Sequence, residues 1–294
     1  MYCIRMKLNS AVIGFILVSL LMVQCDIPSD STDSAVITKF LGHRGGSFET
    51  KSVFPLRENT LPTIIQGFEH FDGVEVDVQQ SAEGTVWLFH DGMYQYLGDT
   101  FCIPTATDSF IEKSTFNSKF HPLTKLEQIF EYLQANRLDK TISIDVKGYF
   151  DKTCFPMKNA NHTYLTNLAD SIVSLTQKYG LQNYVLVETD YQNVLDQIKF
   201  RDKRIKCFLL GYDQFSKRIK KTIDKGYDGV SHNISDPELS EVTIRAARTQ
   251  GLQIQLWTPN DSGTLIKAFK MNPDFIQTDE LNAKFITEFV TNHN

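Results

Sequence analysis

The sequence predicts an α/β protein folded as a (β/α)8 TIM barrel, and three observations support this prediction. Eight short runs rich in β-branched residues recur from about residue 37 onward, and amphipathic stretches of helical period lie between most of them. The 294 residues are enough for a single barrel domain, which needs roughly 250. The composition, with 41% hydrophobic and 22% charged residues, is that of a globular protein.

The predicted strands are ITKFLGH (37–43), GVEVDV (73–78), TISIDVK (141–147), YVLVET (184–189), KCFLLGY (206–212), YDGVSHN (227–233), LQIQLWT (252–258) and DFIQTD (274–279). Small insertions follow the second and third of them. The first insertion, at about 92–121, comes after an extra strand, TVWLFHD, and shows no clear period; the second covers 148–163. Both follow strand ends where barrel active sites are built, so they are candidate substrate walls, with long surface loops as the alternative.

Residues 1–25 have the pattern of an export signal. Arg5 and Lys7 precede the apolar run Ala11–Val23, and the polar, Asp- and Ser-containing stretch 26–36 follows as a flexible tether. The apolar run is shorter than the roughly 20 residues that cross a bilayer, so a permanent membrane span is the weaker interpretation.

Cys25 occupies the place of the acylated cysteine in a bacterial lipoprotein signal, although Gln24 is not the usual small residue before it. We therefore expect an exported protein attached to the membrane through a lipidated Cys25, on the periplasmic or surface side of the cell envelope. Simple cleavage and secretion is the alternative. The net charge of −5 and pI near 5.8 provide no basic surface for nucleic acid.

The other cysteines do not have the spacing of a zinc site. Cys102 and Cys154 both lie in loop-like stretches, and in an exported protein they can form a disulfide. Cys207 lies inside the apolar run KCFLLGY, so we expect it to be a buried thiol.

Residues 73–80, GVEVDVQQ, place two acids in a β-branched run. Because side chains alternate along a strand, Glu75 and Asp77 point to one face and share one site. Two buried like charges need a cation or hydrogen-bond donors. The alternative is a half-exposed edge strand with an acidic face in water.

Other polar residues fall on or just after strands at the same predicted end of the barrel. They are His43 and Arg44, His90 and Asp91, and Asp145 and Lys147. Asp145 joins Glu75 and Asp77 to make three carboxylates, and such a set suits a hard divalent cation, Ca²⁺ or Mg²⁺.

The cations and histidines of this set complete a possible reaction site. Arg44 and Lys147 can meet a substrate phosphate or pair with the acids. His43 and His90 can act as general acid and base, although each alone is more often a structural histidine. The grouping indicates metal-assisted phosphodiester cleavage. The segment Glu58-Asn59-Thr60 can also be a simple helix start.

These segments, in this order, resemble the glycerophosphodiester phosphodiesterase family over about residues 38–285. The matching motifs are His43-Arg44-Gly45, Glu58-Asn59-Thr60, Glu75-Val76-Asp77, His90-Asp91, Ile144-Asp145-Val146-Lys147, Trp257-Thr258-Pro259-Asn260 and Thr278-Asp279. The resemblance implies that residues 37–294 form the catalytic domain. It implies hydrolysis of glycerophosphodiesters to sn-glycerol 3-phosphate and an alcohol, through a cyclic phosphate.

The resemblance also implies a role for each matching residue. Glu75, Asp77 and Asp145 hold one divalent cation, His43 and His90 are catalytic, and Arg44 and Lys147 contact the phosphate. Glu58 shapes the metal or glycerol side of the pocket, and Trp257 forms an apolar wall or only packs. The family usually has Glu where this chain has Asp145, so the coordination is expected to differ.

Two other functions compete with this expectation. One is cleavage of lysophospholipids or sphingomyelin-like lipids in the manner of a phospholipase D, which the aromatic insertion at 92–121 suggests. The other is a catalytically inactive surface protein that binds phosphodiester headgroups. Retention of both histidines and all three acids argues against the second.

Overall fold

The computed structural model describes residues 37–46, 58–92, 94–96, 99–116, 123–148 and 160–292. All of these belong to one compact unit, Val36–Asn294. The predicted export signal, the tether and Cys25 lie outside the described residues. No helix in the described part of the chain is both long enough and apolar enough to span a bilayer.

The strands are β1 (Lys39–Gly42), β2 (Gly73–Gln80), β3 (Val86–Leu88), β4 (Tyr94–Tyr96), β5 (Asp99–Phe101), β6 (Thr141–Val146), β7 (Val185–Thr189), β8 (Lys206–Gly211), β9 (Gly229–Asn233), β10 (Gln253–Trp257) and β11 (Phe275–Thr278). Strands β1, β2 and β6 to β11 are the eight predicted strands, with ends shifted by at most about two residues. They pair in parallel around the barrel, and β1 closes it by pairing with both β2 and β11. The predicted TIM barrel is confirmed.

The helices are α1 (Leu61–His70), α2 (Asp108–Phe116), α3 (Leu126–Asn136), α4 (Ala160–Lys178), α5 (Gln192–Arg201), α6 (Phe215–Lys225), α7 (Glu241–Arg248), α8 (Ser262–Lys270) and α9 (Ala283–Asn292). They surround the barrel. Their apolar faces pack on the outward-facing β-branched residues of the strands, and one buried cluster includes Val74 and Val76 of β2 together with Ile129 and Phe130 of α3.

The barrel interior changes from apolar to polar along the strands. Leu41, Leu186, Phe208 and Phe275 form a small buried apolar cluster. Inward-facing side chains recur every second residue, so the next inward position on β7, two residues after Leu186, is occupied by Glu188. The apolar layer therefore closes the barrel below a polar layer near the carboxyl ends of the strands.

Strand β2 is not an edge strand, so the alternative interpretation of GVEVDVQQ is wrong. All eight of its residues are buried. β2 pairs with β1 and β6 in parallel and with the extra strand β3 in antiparallel fashion. One face of β2 lies in the barrel interior and the other lies under the helices, which leaves neither face in water.

The first insertion contains regular structure in its described residues, although its sequence shows no clear period. It contains the antiparallel pair β4 and β5 and the helix α2. Phe89, Ile103 and Ile111 pack with Trp87 and Leu123 in a separate buried cluster. Elements of only 3 to 9 residues are too short for their hydrophobic period to be recognised in the sequence.

The predictions for the cysteines have different outcomes. Cys207 is a fully buried free thiol, as expected. Cys102 is disulfide-bonded, and its predicted partner Cys154 lies outside the described residues. His232 of β9 is also fully buried, and its Nε2 lies 2.6 Å from Oδ2 of Asp236.

Candidate active site

A cavity of about 190 Å³ opens at the carboxyl end of the barrel. Its lining residues come from both the predicted motifs and the later strands: His43, Arg44, Glu75, Asp77, His90, Asp145, Lys147, Glu188, Leu210, Tyr212, Trp257, Thr258 and Gln277. Eight of the ten site residues predicted from the sequence thus face one cavity. Glu58 is not among the lining residues but accepts a hydrogen bond from Arg44, which is. Cys25 is outside the described residues.

The three predicted metal ligands converge because their strands are neighbours. Asp77 of β2 and Asp145 of β6 are paired in register, and Glu75 precedes Asp77 on the same face. One carboxylate oxygen from each of the three lies within 4.8 Å of the others. Glu75 and Asp77 are buried, and Asp145 is partly buried. Three oxygen ligands on rigid strands fit a hard divalent cation.

The crowding of negative charge raises the pKa of two of these carboxyl groups. Burial, followed by the charges of Asp77, Glu188 and Asp145, raises the pKa of Glu75 well above its ordinary value. Burial also raises the pKa of Asp145 to about 7, with Lys147 opposing and the neighbouring acids reinforcing the shift. A bound cation would relieve this repulsion, which supports the fit of the donor set to a metal ion.

Asp77 behaves differently because cations surround it. Burial raises its pKa, but the charges of Lys147, His90 and Arg44 outweigh burial and lower the pKa below its ordinary value. Nζ of Lys147 lies 3.0 Å from Oδ1 of Asp77 and 2.5 Å from Oδ2 of Asp145. Lys147 therefore holds the two acids together, and they raise the pKa of Lys147 despite its burial.

Arg44 contacts the acids through both its main chain and its side chain. The turn His43–Gly45 after β1 has positive φ at Arg44 (52°) and Gly45 (88°), and this turn directs the Arg44 backbone N–H to Oε2 of Glu75 at 2.8 Å. The guanidinium donates to both carboxylate oxygens of Glu58 at 3.0 Å. The cations are thus paired with acids, which was one of the two interpretations left open by the sequence.

Asn59 lies in the segment Glu58-Asn59-Thr60, and the structure gives it a contact with the acids of the site. It is 2% exposed, with φ of 57°, and it makes two hydrogen bonds with Asp77. Its Nδ2 donates to Oδ2 of Asp77 at 2.8 Å, and its Oδ1 accepts from the Asp77 backbone N–H at 3.0 Å. Thr60 is the N-cap of α1 but makes no side-chain cap hydrogen bond. The segment therefore positions Asp77 of β2 rather than only starting a helix.

Each predicted catalytic histidine has a carboxylate at its Nδ1. His43 Nδ1 lies 3.2 Å from Oδ1 of Asp279, and His90 Nδ1 lies 2.9 Å from Oδ1 of Asp91. Asn260 donates to the other oxygen of Asp279 at 2.6 Å. An ionised carboxylate accepts, so each pair favours the tautomer with a proton on Nδ1 and a basic Nε2. Asp91 is the sequence neighbour of His90, whereas Asp279 lies 236 residues from His43.

The later strands contribute one apolar and one polar wall. Trp257 is the last residue of β10, and its ring meets that of Tyr212 edge-on at 5.3 Å, beside Leu210. Glu188 of β7 and Gln277 of β11 form the polar wall and were not identified from the sequence. A single acid in the apolar run YVLVET gives no signal of its own.

Comparisons with known proteins agree with this geometry. A model of the glycerophosphoryl diester phosphodiesterase family matches residues 43–283. The uncharacterized protein YqiK of Bacillus subtilis is 20% identical over 246 residues, which cover 83% of this chain and 95% of that protein.

Solved structures share the barrel fold. A glycerophosphodiester phosphodiesterase structure from Thermotoga maritima superposes with a TM-score of 0.60 at 23% identity, covering 87% of this chain and 99% of that one. The structure of a phosphodiesterase from Oleispira antarctica, in complex with the product sn-glycerol-3-phosphate, superposes with a TM-score of 0.69 at 14% identity. The match covers 86% of this chain and 97% of that one. The family match spans most of the chain and includes every predicted site motif. The chain therefore belongs to the glycerophosphoryl diester phosphodiesterase family and is a glycerophosphodiester phosphodiesterase.

Proposed function

We propose that the enzyme hydrolyses glycerophosphodiesters to sn-glycerol 3-phosphate and an alcohol, with one Ca²⁺ or Mg²⁺ ion bound by Glu75, Asp77 and Asp145. The observation that carries this proposal is the joint presence of these acids, two histidines and two cations around one cavity. The related Oleispira antarctica phosphodiesterase binds the corresponding product. A bound divalent ion would polarise the phosphoryl group and neutralise charge that develops on its oxygens.

The cations of the site are suited to hold the substrate phosphate. Arg44 and Lys147 line the cavity and keep their charge at any physiological pH. Both now contact carboxylates, so a phosphate oxygen would share these donors with Asp77 and Glu58. The cavity is smaller than the roughly 300–1,000 Å³ of pockets for drug-sized ligands. It suits a glycerophosphoryl group, with the alcohol extending towards the mouth.

The two histidines would carry the protons. In the first step one histidine accepts the proton of the glycerol 2-hydroxyl as that oxygen bonds to phosphorus. The other histidine donates a proton to the departing alcohol oxygen, which leaves a cyclic phosphate. In the second step the roles reverse, and water opens the ring to sn-glycerol 3-phosphate. Asp279 and Asp91 would stabilise the imidazolium that forms on His43 and His90, respectively.

The test is alcohol release from glycerophosphocholine, glycerophosphoethanolamine and glycerophosphoinositol by the protein lacking residues 1–25. We expect activity that EDTA abolishes and that one of Ca²⁺ or Mg²⁺ restores. Release of alcohol at an unchanged rate in EDTA would contradict the metal assignment. No release from any diester with either ion would contradict the proposed substrate class.

Lipid cleavage in the manner of a phospholipase D has less support, because the described part of the insertion that suggested it is packed away from the cavity. None of the described residues of that insertion lines the cavity, and Phe101, Ile103 and Ile111 pack in their own cluster around Trp87. Cleavage of lysophosphatidylcholine in preference to glycerophosphocholine would reverse this choice. Phosphodiester binding without any turnover would favour the inactive headgroup-binding alternative.

The apolar wall is expected to affect substrate binding more than chemistry. Trp257→Ala removes the ring that packs on Tyr212, so we expect KM for the preferred diester to rise about 10-fold with kcat changed less. Trp257→Phe keeps an aromatic wall and is the matched control, expected near wild-type KM. Steady-state kinetics on both variants measure the effect. An equal fall in kcat in Trp257→Ala and Trp257→Phe would contradict a role of this side chain in substrate binding alone.

We propose that the enzyme is exported and tethered to the cell envelope through a lipidated Cys25. The support is the basic start, the apolar run Ala11–Val23 and the polar stretch after Cys25. Cys25→Ser in the full chain is expected to move the protein from the membrane fraction to the soluble exported fraction and to abolish labelling by a radioactive fatty acid. Cys207→Ser is the control. Unchanged membrane attachment of the Cys25 variant would contradict the proposal.

A further inference from the structure

We propose that Glu188 is a further carboxylate of the metal centre and holds a water molecule on the bound ion next to Asp145. This inference rests on the metal requirement in the proposed function, but not on the identity of the substrate. It adds a residue from a strand that carries none of the recognised motifs.

The register of the sheet places Glu188 at the level of the metal-binding acids. Asp77 of β2 is paired with Asp145 of β6, and Asp145 is paired with Glu188 of β7. Adjacent strands lie about 4.8 Å apart, so three acids stand side by side across three strands. Glu188 also lines the same cavity as Asp77 and Asp145.

One oxygen of Glu188 is fixed and the other is not. Oε1 accepts a hydrogen bond from Oγ of Ser143 at 2.7 Å and another from Nε2 of Gln277. Oε2 is buried and makes no hydrogen bond of full geometry with a described residue, and Glu188 is only 1% exposed. The hydroxyl of Ser231, which accepts from Nε2 of Gln255, is near enough to this carboxylate to stabilise its charged form but leaves room for a further donor. A buried carboxylate oxygen is costly to leave unpaired, and a metal-bound water would supply the missing donor.

The position of Glu188 favours contact through water over direct ligation. The set of acids whose oxygens lie within 4.8 Å of one another comprises Glu75, Asp77 and Asp145, without Glu188. Ser143 and Gln277 hold Glu188 on its own side of the cavity. One oxygen of Asp145 is already engaged by Lys147. An ion that takes six or more oxygen ligands therefore needs water on this side, and Oε2 of Glu188 is placed to orient it.

The alternative is that Glu188 only ties β6 to β11 through Ser143 and Gln277. The two roles predict different effects of Glu188→Gln, which keeps the size of the side chain and an acceptor at the Oε1 position. A purely structural role predicts a change in thermal stability without a change in ion affinity. A role at the metal centre predicts a loss of ion affinity.

The experiment is calorimetric titration of Ca²⁺ and of Mg²⁺ into EDTA-stripped protein lacking residues 1–25, without substrate. We expect Glu188→Gln to weaken the Kd of the preferred ion by about 10-fold to 100-fold, as loss of outer-shell partners does at other metal sites. Asp202→Asn is the control. Asp202 is equally a buried carboxylate, but it precedes β8 at the opposite end of the barrel, and its replacement should leave the Kd unchanged.

A double variant tests the link to Asp145 directly. If Glu188 compensates for the shorter side chain of Asp145, the Asp145→Glu substitution should strengthen ion binding more in the Glu188→Gln variant than in the wild-type protein. Additive effects of the two substitutions would overturn the link. If Glu188→Gln does not fold, Glu188→Asp takes its place and should also weaken binding.

The inference and the proposed function can fail separately. A Kd within twofold of wild type in a folded Glu188 variant would overturn the inference, as would absence of ion binding by the wild-type protein. Ion binding that depends on Glu188, in a protein that hydrolyses no glycerophosphodiester, would support the inference and contradict the proposed function.

Discussion

Replacement of His43 or His90 by Ala is expected to lower kcat for glycerophosphodiester hydrolysis by about 10²-fold to 10⁴-fold, the range for loss of a general acid or base. Each histidine is paired with a carboxylate that orients it, and both line the cavity that holds the acids. Both are only partly buried, so the substitution should leave the fold intact.

The measurements for this prediction are steady-state kinetics and thermal unfolding of each variant beside the wild type. His162→Ala is the matched control, because His162 is an exposed histidine on α4, outside the cavity lining. We expect its kcat to match the wild type. Near-normal rates in both the His43 and His90 variants would refute the acid–base mechanism.

Glu75→Gln is expected to weaken binding of the divalent ion by more than about 100-fold and to abolish most turnover. This exceeds the range for outer-shell residues because a direct ligand is lost. The carboxylate also accepts the Arg44 backbone N–H, which an amide oxygen can still do, so the turn after β1 should persist. The loss should therefore be one of ion affinity rather than of folding.

Asp77→Asn is expected to reduce ion affinity in the same way and also to lower stability. It leaves the partly buried Lys147 with one acid fewer. Calorimetric titration of Ca²⁺ and Mg²⁺, with thermal unfolding in EDTA, separates the two effects. Glu69→Gln on the exposed side of α1 is the control for both variants. Wild-type ion affinity in both the Glu75 and Asp77 variants would place the metal elsewhere.

The strand order and most of the site were predictable from local patterns. Alternation in GVEVDVQQ put Glu75 and Asp77 on one face, and the strand ends put His43, Arg44 and Lys147 at one end of the barrel. These inferences need only the period of a strand and the rule that parallel barrel strands end on one side.

Other features depended on which strands become neighbours. The sequence allowed an edge strand at 73–80, and only closure of the barrel buried both of its faces. His232 has Asp236 as its partner because the turn after β9 brings the carboxylate under the imidazole. Asn59 binds Asp77 because it adopts a positive φ before α1.

Local patterns in the sequence therefore predict the barrel and the residues of its motifs. The partners of these residues depend on the folded barrel: Asp279 contacts His43 across 236 residues, and Gln277 contacts Glu188 across 89. Such pairs have no local signal, because their contact is created by the closure of β1 against β11 and by the sheet register. For the same reason Glu188, a lone acid in an apolar strand, became a candidate for the metal centre only when its neighbours across the barrel were known.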